Sequence, residues 1–330
     1  MIRVGIPVIQ HASAISVAGP RDMLNYAEYH MGGAGQEPAP PAFQTDLVGV
    51  DDTPVRYGDS VWLTPQHVIS HAVSYDVILV PAFADDIEKG LEANRAFFPW
   101  LRACRQRGAV LATWCGGTFM LAAAGILDGK SATTHWALAE QLACRFPQVK
   151  VQPDRMLIDE GDVITCGGAT SFLNLVIYLI ERFHSHEMAV RCAKMFLIDM
   201  DRPTQRPYAD LRVRPPHADE TIRHIQRYIE ANLSEALPLK RLAHMTNLSP
   251  KTFMRRFKEA TGAPPATYVQ LMRIEAAKQC LEQDKATVGE ITFQVGYNDT
   301  RSFRRLFQHY VGLSPKEYRA KFQEMAKYAR

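Results

Sequence analysis

The feature that most constrains the fold is a repeat near the C-terminal end, in which residues fifty positions apart match. The matched pairs are Phe253 with Phe303, Arg255 with Arg305, Phe257 with Phe307, Gly262 with Gly312, Pro265 with Pro315 and Tyr268 with Tyr318. In each copy the two phenylalanines are four residues apart, which places them on one face of a helix. The glycine that follows suits the position just after a helix end. The repeat therefore predicts two copies of one small helical unit.

The first copy has the signals of a helix-turn-helix unit. Residues 239–245 have a helical pattern with Leu242 and Ala243 inward, and a short turn follows at 246–248. Ser249 can accept a hydrogen bond from an unpaired backbone N–H, and Pro250 suits the first position of a helix. We therefore expect a second helix that is capped by Ser249.

The second copy reaches the same arrangement with different residues. Thr287 and Glu290 have the spacing of a capping box, and Gly296 permits a tight turn. Asn298 is expected to cap the helix that runs to His309. Two helix-turn-helix units are predicted in tandem.

The second helix of each copy carries a basic outward face. Such a helix can enter the DNA major groove, where arginine bonds guanine in a bidentate manner. The predicted base-reading residues are Lys251, Met254 and Arg255 in the first copy and Thr300, Arg301, Arg304 and Arg305 in the second, while Arg256 and Lys258 are better placed for phosphates. Residues 219–330 hold 19 basic and 12 acidic residues, a balance of +7, whereas residues 1–218 balance to −4. The C-terminal part is therefore predicted to bind double-stranded DNA.

The N-terminal part has the pattern of an α/β domain. Short apolar runs at 4–9, 47–50, 76–80, 109–113 and 163–166 alternate with stretches of helical period at 91–107, 136–146 and 172–183. This alternation predicts a mostly parallel, doubly wound sheet of flavodoxin-like type, followed by an all-α domain with two helix-turn-helix units. The predicted domains are 1–200 and 219–330, joined by a proline-rich linker at 201–218.

Cys115 lies where the strand pattern at 109–113 passes directly into a helical pattern. A turn this tight needs small neighbours, which Gly116 and Gly117 supply, and it presents the sulfur at the carboxyl edge of the sheet. Asp22 and His135 could converge there as an orienting carboxylate and a general base. Each of the three also has a purely structural interpretation, as a helix-terminus partner, a packed histidine or a small buried thiol.

Several classes of protein are disfavoured by composition. The six cysteines are scattered and contain no C-x-x-C pair, so neither a disulfide framework nor a metal site is expected, and no cofactor motif occurs. No apolar stretch approaches the roughly 18 residues of a membrane span. Because a charged leader and a cleavage site are also missing, we expect a cytoplasmic protein without membrane contact.

Residues 219–320 resemble the DNA-binding domain of the AraC family of bacterial transcription regulators. The resemblance rests on L-x-x-L-A-x-x-x-x-L-S-P-x-x-F-x-R-x-F-K-x-x-x-G at 239–262 and V-G-Y-x-D-x-x-x-F-x-R-x-F-x-x-x-x-G-x-S-P-x-x-Y-R at 295–319. It implies that the seven residues named above occupy base-contacting positions. Met254 departs from a polar reader and could contact a thymine methyl.

Residues 1–195 resemble the PfpI-type branch of the class I glutamine amidotransferase-like superfamily. The matching stretches are GPRD at 19–22, DVILVP at 76–81, the Cys115 turn, LDGKSATTHW at 127–136 and CGG at 166–168. The resemblance implies that Asp22, Cys115 and His135 line the family pocket. Gly116 stands where the proteases have a histidine, and Ala82 and Phe83 stand where an oxyanion nest has glycines, so Phe83 would narrow the pocket.

The two resemblances together predict a transcription regulator whose N-terminal domain senses a small metabolite and forms a homodimer, with RNA polymerase as a further partner. Regulators of this type are associated with catabolism of amino acids or of quaternary ammonium compounds. The expected effector pocket is a vestigial nucleophile elbow formed by Asp22, Phe83, Cys115, Gly116 and His135, without catalysis. Two alternatives are a cysteine-dependent hydrolase or hydratase attached to a DNA-binding domain, and a regulator that senses redox state through Cys115.

Overall fold

The computed structural model describes residues 1–29, 42–70, 73–84, 86–212, 217–283 and 286–322. The chain divides into two compact units, Met1–Gln205 and Arg206–Arg330. The boundary falls inside the segment predicted as the linker.

The first unit is built on a seven-stranded sheet. Its strands, with those of two small ribbons, are β1 (Ile2–Pro7), β2 (Phe43–Gly49), β3 (Val55–Tyr57), β4 (Val61–Leu63), β5 (His67–Val68), β6 (Val77–Val80), β7 (Val110–Trp114), β8 (Ser131–Ala132), β9 (Lys150–Val151), β10 (Leu157–Asp159) and β11 (Val163–Cys166). The main sheet has the order β10-β11-β7-β6-β1-β2-β5, and only β10 runs antiparallel to its neighbour. The five predicted strands are confirmed as β1, β2, β6, β7 and β11.

Helices cover both faces of this sheet. They are α1 (Ala14–Tyr29), α2 (Ile87–Ala93), α3 (Phe97–Gln106), α4 (Gly117–Ala123), α5 (Ala139–Arg145), α6 (Phe172–Phe183) and α7 (His186–Met195). α1, α6 and α7 pack together, as do α2, α3 and α4. Because every residue of β6, β7 and β11 is buried, the central strands are enclosed on both sides.

Two helical predictions needed correction. The stretch 91–107 is not one helix, because the side chain of Asn94 donates a hydrogen bond to the Gly90 carbonyl (2.7 Å) and α2 ends there. The stretch 136–146 begins with a 3-10 turn at Trp136–Leu138 before α5. By contrast, α6 has the predicted bounds.

The second unit is entirely helical in the residues described. Its helices are α8 (Glu220–Ala231), α9 (Leu239–His244), α10 (Pro250–Thr261), α11 (Pro265–Gln283), α12 (Val288–Gln294), α13 (Thr300–Val311) and α14 (Pro315–Phe322). The fully buried Phe253 and Phe257 belong to one hydrophobic core, and Phe303 and Phe307 belong to a second. The 19-residue helix α11 contributes to both cores.

The helix ends follow the predicted signals with one exception. Ser249 accepts a hydrogen bond from the Thr252 N–H (3.2 Å), and Thr287 and Glu290 form the expected capping box. Asn298 was wrongly predicted as the cap of α13, because Asp299 takes that place and accepts from the Arg301 and Ser302 N–H groups. A carboxylate is a stronger acceptor than an amide at the positive end of a helix.

Gly262 provides a test of the repeated helix ending. It has a φ of +74°, so a Cβ there would strain the backbone although no atom lies within 4 Å of that position. We expect Gly262→Ala to lower the free energy of unfolding by about 1 to 2 kcal/mol. The measurement is urea unfolding followed by helical circular dichroism.

The matched control is Gly289→Ala, which lies inside α12 without a positive φ, and where a Cβ would make only an ordinary contact of 3.8 Å with the Thr287 hydroxyl. This change should stabilise by about 0.4 to 1 kcal/mol, because it restricts only the unfolded chain. If both substitutions changed the free energy of unfolding equally, the positive φ of Gly262 would not be the reason for a glycine at this helix end.

Candidate functional site

The two candidate reading helices, α10 and α13, have the same burial pattern at ten consecutive positions, 251–260 and 301–310. Phenylalanines occupy the buried third and seventh positions of each stretch, and of the three residues between them the first two are exposed and the third is half-buried. Of the predicted base readers, Lys251, Met254, Arg255, Arg301, Arg304 and Arg305 are exposed, while Thr300 is half-buried at the start of α13. The structure therefore presents two equivalent surfaces rich in hydrogen-bond donors.

Two arginines of α10 have different partners. Arg255 bonds Glu259 one turn away (2.9 Å), and both side chains are largely exposed, so this pair contributes only a few tenths of a kcal/mol and can open. Arg256, which we expected near phosphates, bonds both oxygens of Asp219 at 2.5 and 2.9 Å. The Arg256 hydrogen bond holds the pKa of Asp219 below its usual value. Arg256 therefore fixes α10 to the start of α8.

Cys115 occupies a strained turn between β7 and α4. Its φ is +50°, and its N–H donates to the Gly167 carbonyl (2.8 Å). A Cβ on Gly117 would lie 2.3 Å from the Thr113 hydroxyl and 2.6 Å from the Pro81 carbonyl oxygen, so only glycine fits there. The geometry is that of the predicted elbow.

Two loops are bonded to this elbow. The Thr134 hydroxyl donates to the Cys115 carbonyl (2.6 Å), and the imidazole of His135 lies so close to Gly168 that a Cβ there would be 1.9 Å from its Cδ2. The ring nitrogen Nδ1 of His135 accepts from the Ala137 N–H (3.1 Å), and burial lowers the pKa of the histidine. His135 is therefore a neutral, packed side chain at pH 7.

The predicted pocket residues are only partly brought together. Phe83 is buried beside Gly116, with its Cβ 3.3 Å from the position that a Gly116 Cβ would occupy. Asp22 lies well inside α1 and is exposed. Among the described residues, no hydrogen bond or ion pair joins Asp22, Cys115 and His135 to one another.

Sequence reasoning missed Gln205, which lies in the proline-rich linker and carries no local signal. Its side chain is 3% exposed, and its Oε1 accepts from the N–H groups of Trp136 (3.3 Å) and Gly168 (3.1 Å). Its Nε2 lies 2.8 Å from the Thr134 carbonyl and 3.1 Å from the Arg155 carbonyl. Gln205, the last residue of the first unit, therefore holds the His135 and Gly168 loops together.

Comparison with known proteins agrees with this arrangement. Residues 3–182 match the DJ-1/PfpI family. The chain belongs to this family. Residues 242–321 match a helix-turn-helix domain, so the protein joins a DJ-1/PfpI domain to an AraC-type DNA-binding domain, as predicted.

Two HTH-type transcriptional regulators are similar to this chain over most of its length. HTH-type transcriptional regulator GbdR of Pseudomonas aeruginosa is 25% identical over 320 residues, which cover 96% of this chain and 83% of that protein. CdhR of the same species, also an HTH-type transcriptional regulator, is 25% identical over 84% of this chain and 82% of its own. A crystal structure of an AraC family transcriptional regulator from Pseudomonas putida, 18% identical, covers 59% of this chain and 100% of that one with a TM-score of 0.50, which shows the fold alone.

These findings confirm the predicted class of function. This DJ-1/PfpI protein is an HTH-type transcription regulator that binds DNA. No helix among the described residues is long and apolar enough to cross a membrane.

The exposed arginines of the reading helices give a direct test. We expect Arg255→Ala and Arg305→Ala each to weaken binding to a selected operator by about 1 to 3 kcal/mol, since each removes a bidentate donor. Footprinting titrations on an operator selected from random duplexes would measure the change. Glu259→Ala is the control, because it frees Arg255 and removes a negative charge, and binding should not weaken. Unchanged affinity in either arginine variant would remove that residue from the interface.

Gln205 gives a second test, in the first unit. Gln205→Leu leaves several buried backbone groups without their partner, and we expect the free energy of unfolding to fall by about 1 to 3 kcal/mol. All four tryptophans of the chain lie in the first unit, so tryptophan fluorescence during urea unfolding reports on it specifically. The exposed Gln152→Leu is the matched control and should leave the midpoint in place. If Gln205→Leu and Gln152→Leu unfolded at the same urea concentration, the hydrogen bonds of the Gln205 side chain would contribute nothing to stability.

Proposed function

We propose that this DJ-1/PfpI protein is a ligand-responsive regulator, in which the first unit binds a small metabolite without converting it and the second unit binds DNA in response. The effector is an amino acid or a quaternary ammonium compound. The observation that carries the proposal is the place of Gln205, which bonds the loops beside Cys115 and is followed directly by the second unit.

On the other side of the boundary, the chain is held by the second unit. The Ala209 carbonyl accepts from Lys278 Nζ (2.5 Å), and the Leu211 N–H donates to Glu275 Oε1 (3.0 Å). Lys278 and Glu275 form a buried ion pair on α11 (2.7 Å). Breaking a buried pair of this kind is costly, so the linker is fixed to α11.

The chain is thus bonded within the first unit at Gln205 and within the second unit from Arg206 onward, where Arg206 donates to the His309 carbonyl (3.2 Å). A rearrangement of the loops beside His135 would act on Gln205, and the chain that follows is bonded to the helix shared by both helix-turn-helix cores. Coupling needs an effector that favours one arrangement over the other, and a typical coupling free energy is about 1 to 3 kcal/mol.

Binding without turnover is supported by the geometry at the elbow. The Nδ1 of His135 is occupied by a backbone donor, and its ring packs on Gly168. Because Nδ1 accepts from the Ala137 N–H, the neutral ring carries its proton on Nε2, and neither nitrogen has a free lone pair for general-base catalysis. With Asp22 exposed on α1, the three groups are not arranged as a triad, which favours a sensor over a hydrolase.

The partners follow from this function. The first unit forms a homodimer that aligns two DNA-binding units on the operator, and the regulator acts in the cytoplasm with RNA polymerase as a further partner. The family resemblance makes the carboxyl edge of the sheet a first candidate for the effector pocket, beside Cys115, Gly116, His135 and Phe83, with Asp22 on the adjoining helix.

The test is an operator titration in the presence of amino acids, betaines and carnitine-like compounds. One compound of the panel should change the operator Kd by about 5 to 150-fold and raise the melting temperature, with no product formed. An Arg255→Ala, Arg305→Ala double variant should keep the thermal shift and lose DNA binding, which separates the two units.

Three results would contradict the proposal. If no compound changed the operator Kd, the protein would not respond to these ligands. If the wild type formed product and Cys115→Ala did not, the protein would be an enzyme. A response to peroxide that Cys115→Ser abolishes would make it a redox regulator.

A further inference from the structure

One feature that the sequence did not predict is a cavity of about 950 Å³ in the first unit. It opens at the carboxyl ends of β1 and β2 and is lined on one side by the ribbon of β3 and β4. The sheet order changes direction between β1 and β6, which are neighbours, and open α/β sheets bind ligands at such a point. The volume lies within the range of small-molecule sites.

The walls of this cavity are fastened to one another. The Tyr57 hydroxyl of the ribbon donates to the Ile9 carbonyl (3.0 Å). Buried Asn94 accepts from the Gln10 N–H (2.9 Å) and donates to the Gln10 carbonyl (3.0 Å). The His11 carbonyl accepts from Ala84 N–H (2.7 Å). The cavity is therefore formed before any ligand arrives.

His11 lies in the lining with a φ of +62°, a conformation that is uncommon for residues other than glycine. The bonds through Asn94 and Ala84 hold the backbone in place there. Strain of this kind is concentrated at binding sites, where it fixes the orientation of a group in advance.

The charged residues in the lining are one cation and one anion, Arg56 and Asp51. Arg56 bonds Asp59 through Nη2, both at the carbonyl (3.0 Å) and at Oδ1 of the exposed carboxylate (3.3 Å), and lies over the Trp62 ring, 5.9 Å from its centroid. Within the described part of the chain, its Nε and Nη1 make no hydrogen bond. Asp51 accepts from the Thr53 N–H through Oδ1 (2.9 Å), and bonds from Thr53 hold its pKa below the usual value.

This lining suits a ligand that carries a negative and a positive charge. A planar guanidinium with free donors matches a carboxylate, and an ionised carboxylate matches a cationic nitrogen. An anion or a cation alone would bind only one of these two side chains. The ring of Trp62, 59% exposed, offers an apolar face to the aliphatic part of such a molecule.

We propose that this cavity is the binding site of a small zwitterion, whose carboxylate binds Arg56 and whose cationic nitrogen faces Asp51. The assignment rests on the proposed function and takes this cavity, in place of the elbow beside Cys115, as the site of the effector. The Phe83 and Ala84 loop, which lines the cavity at Ala84, also contacts the Cys115 elbow near Gly116, so an occupied cavity adjoins the loops bonded to Gln205.

The experiment is calorimetric titration of the full chain with glycine betaine, L-carnitine and L-arginine. Acetate and tetramethylammonium serve as probes of a single charge. We expect at least one zwitterion to bind, and both single-charge probes to bind at least tenfold more weakly. Arg56→Gln and Asp51→Asn should each weaken the zwitterion at least tenfold.

Two variants serve as controls. Arg95→Gln removes an exposed arginine outside the cavity lining and should bind the zwitterion within twofold of the wild type. Cys115→Ala decides between the two sites, because it alters the elbow and leaves the cavity lining intact. Loss of binding in Cys115→Ala with retention in Arg56→Gln would place the site at the elbow and overturn the assignment.

The operator titration separates this proposal from the broader one. If a compound without zwitterionic character changes the operator Kd and the three zwitterions do not bind, ligand response stands and the cavity assignment fails. If zwitterions bind the cavity but no compound changes operator affinity, the site stands as a binding site and the regulatory proposal fails.

Discussion

The direction of the strands determines where the first unit can act. Because β1, β2, β6, β7 and β11 run parallel, their carboxyl ends meet at one edge of the sheet, and the loops that follow them are necessarily neighbours. The strained turn at Cys115, the buried Phe83 and the cavity wall at His11 all lie on this edge. The bonds that join these loops then decide which side chains face a ligand and which are packed away.

The features that the sequence predicted well depend on residues that are close together in the chain. Helix caps and the buried phenylalanine pairs need only spacing within one or two turns, so the tandem units and α6 were anticipated closely. The cap at Asp299 was missed by one residue, because Asn298 and Asp299 are both good caps and only the helix start decides between them. The break at Asn94 was missed since it depends on a side chain bonding Gly90 and Gln10 at once.

Features that depend on distant contacts could not be predicted from the sequence. Gln205 bonds groups 37 to 72 residues away in the chain, and nothing in its proline-rich surroundings marks it. The cavity depends on a ribbon of two three-residue strands, too short to show alternation, that Tyr57 ties to Ile9. Cys115 and its glycines were recognisable as an elbow, whereas the orientation of His135 was not.

The shared helix α11 has a consequence for how this DNA-binding unit can change over time. It contributes Met272 to one core and Ile274 to the next, with a single residue between them. Inserting one residue there would rotate the remainder of the helix by about 100° and turn its apolar face away from the second core. The length of α11 therefore sets the spacing between the two reading helices. Such a protein can acquire new DNA preferences by exchanging exposed side chains on α10 and α13, but it cannot adjust the spacing of the sequences that it reads by small insertions in this helix.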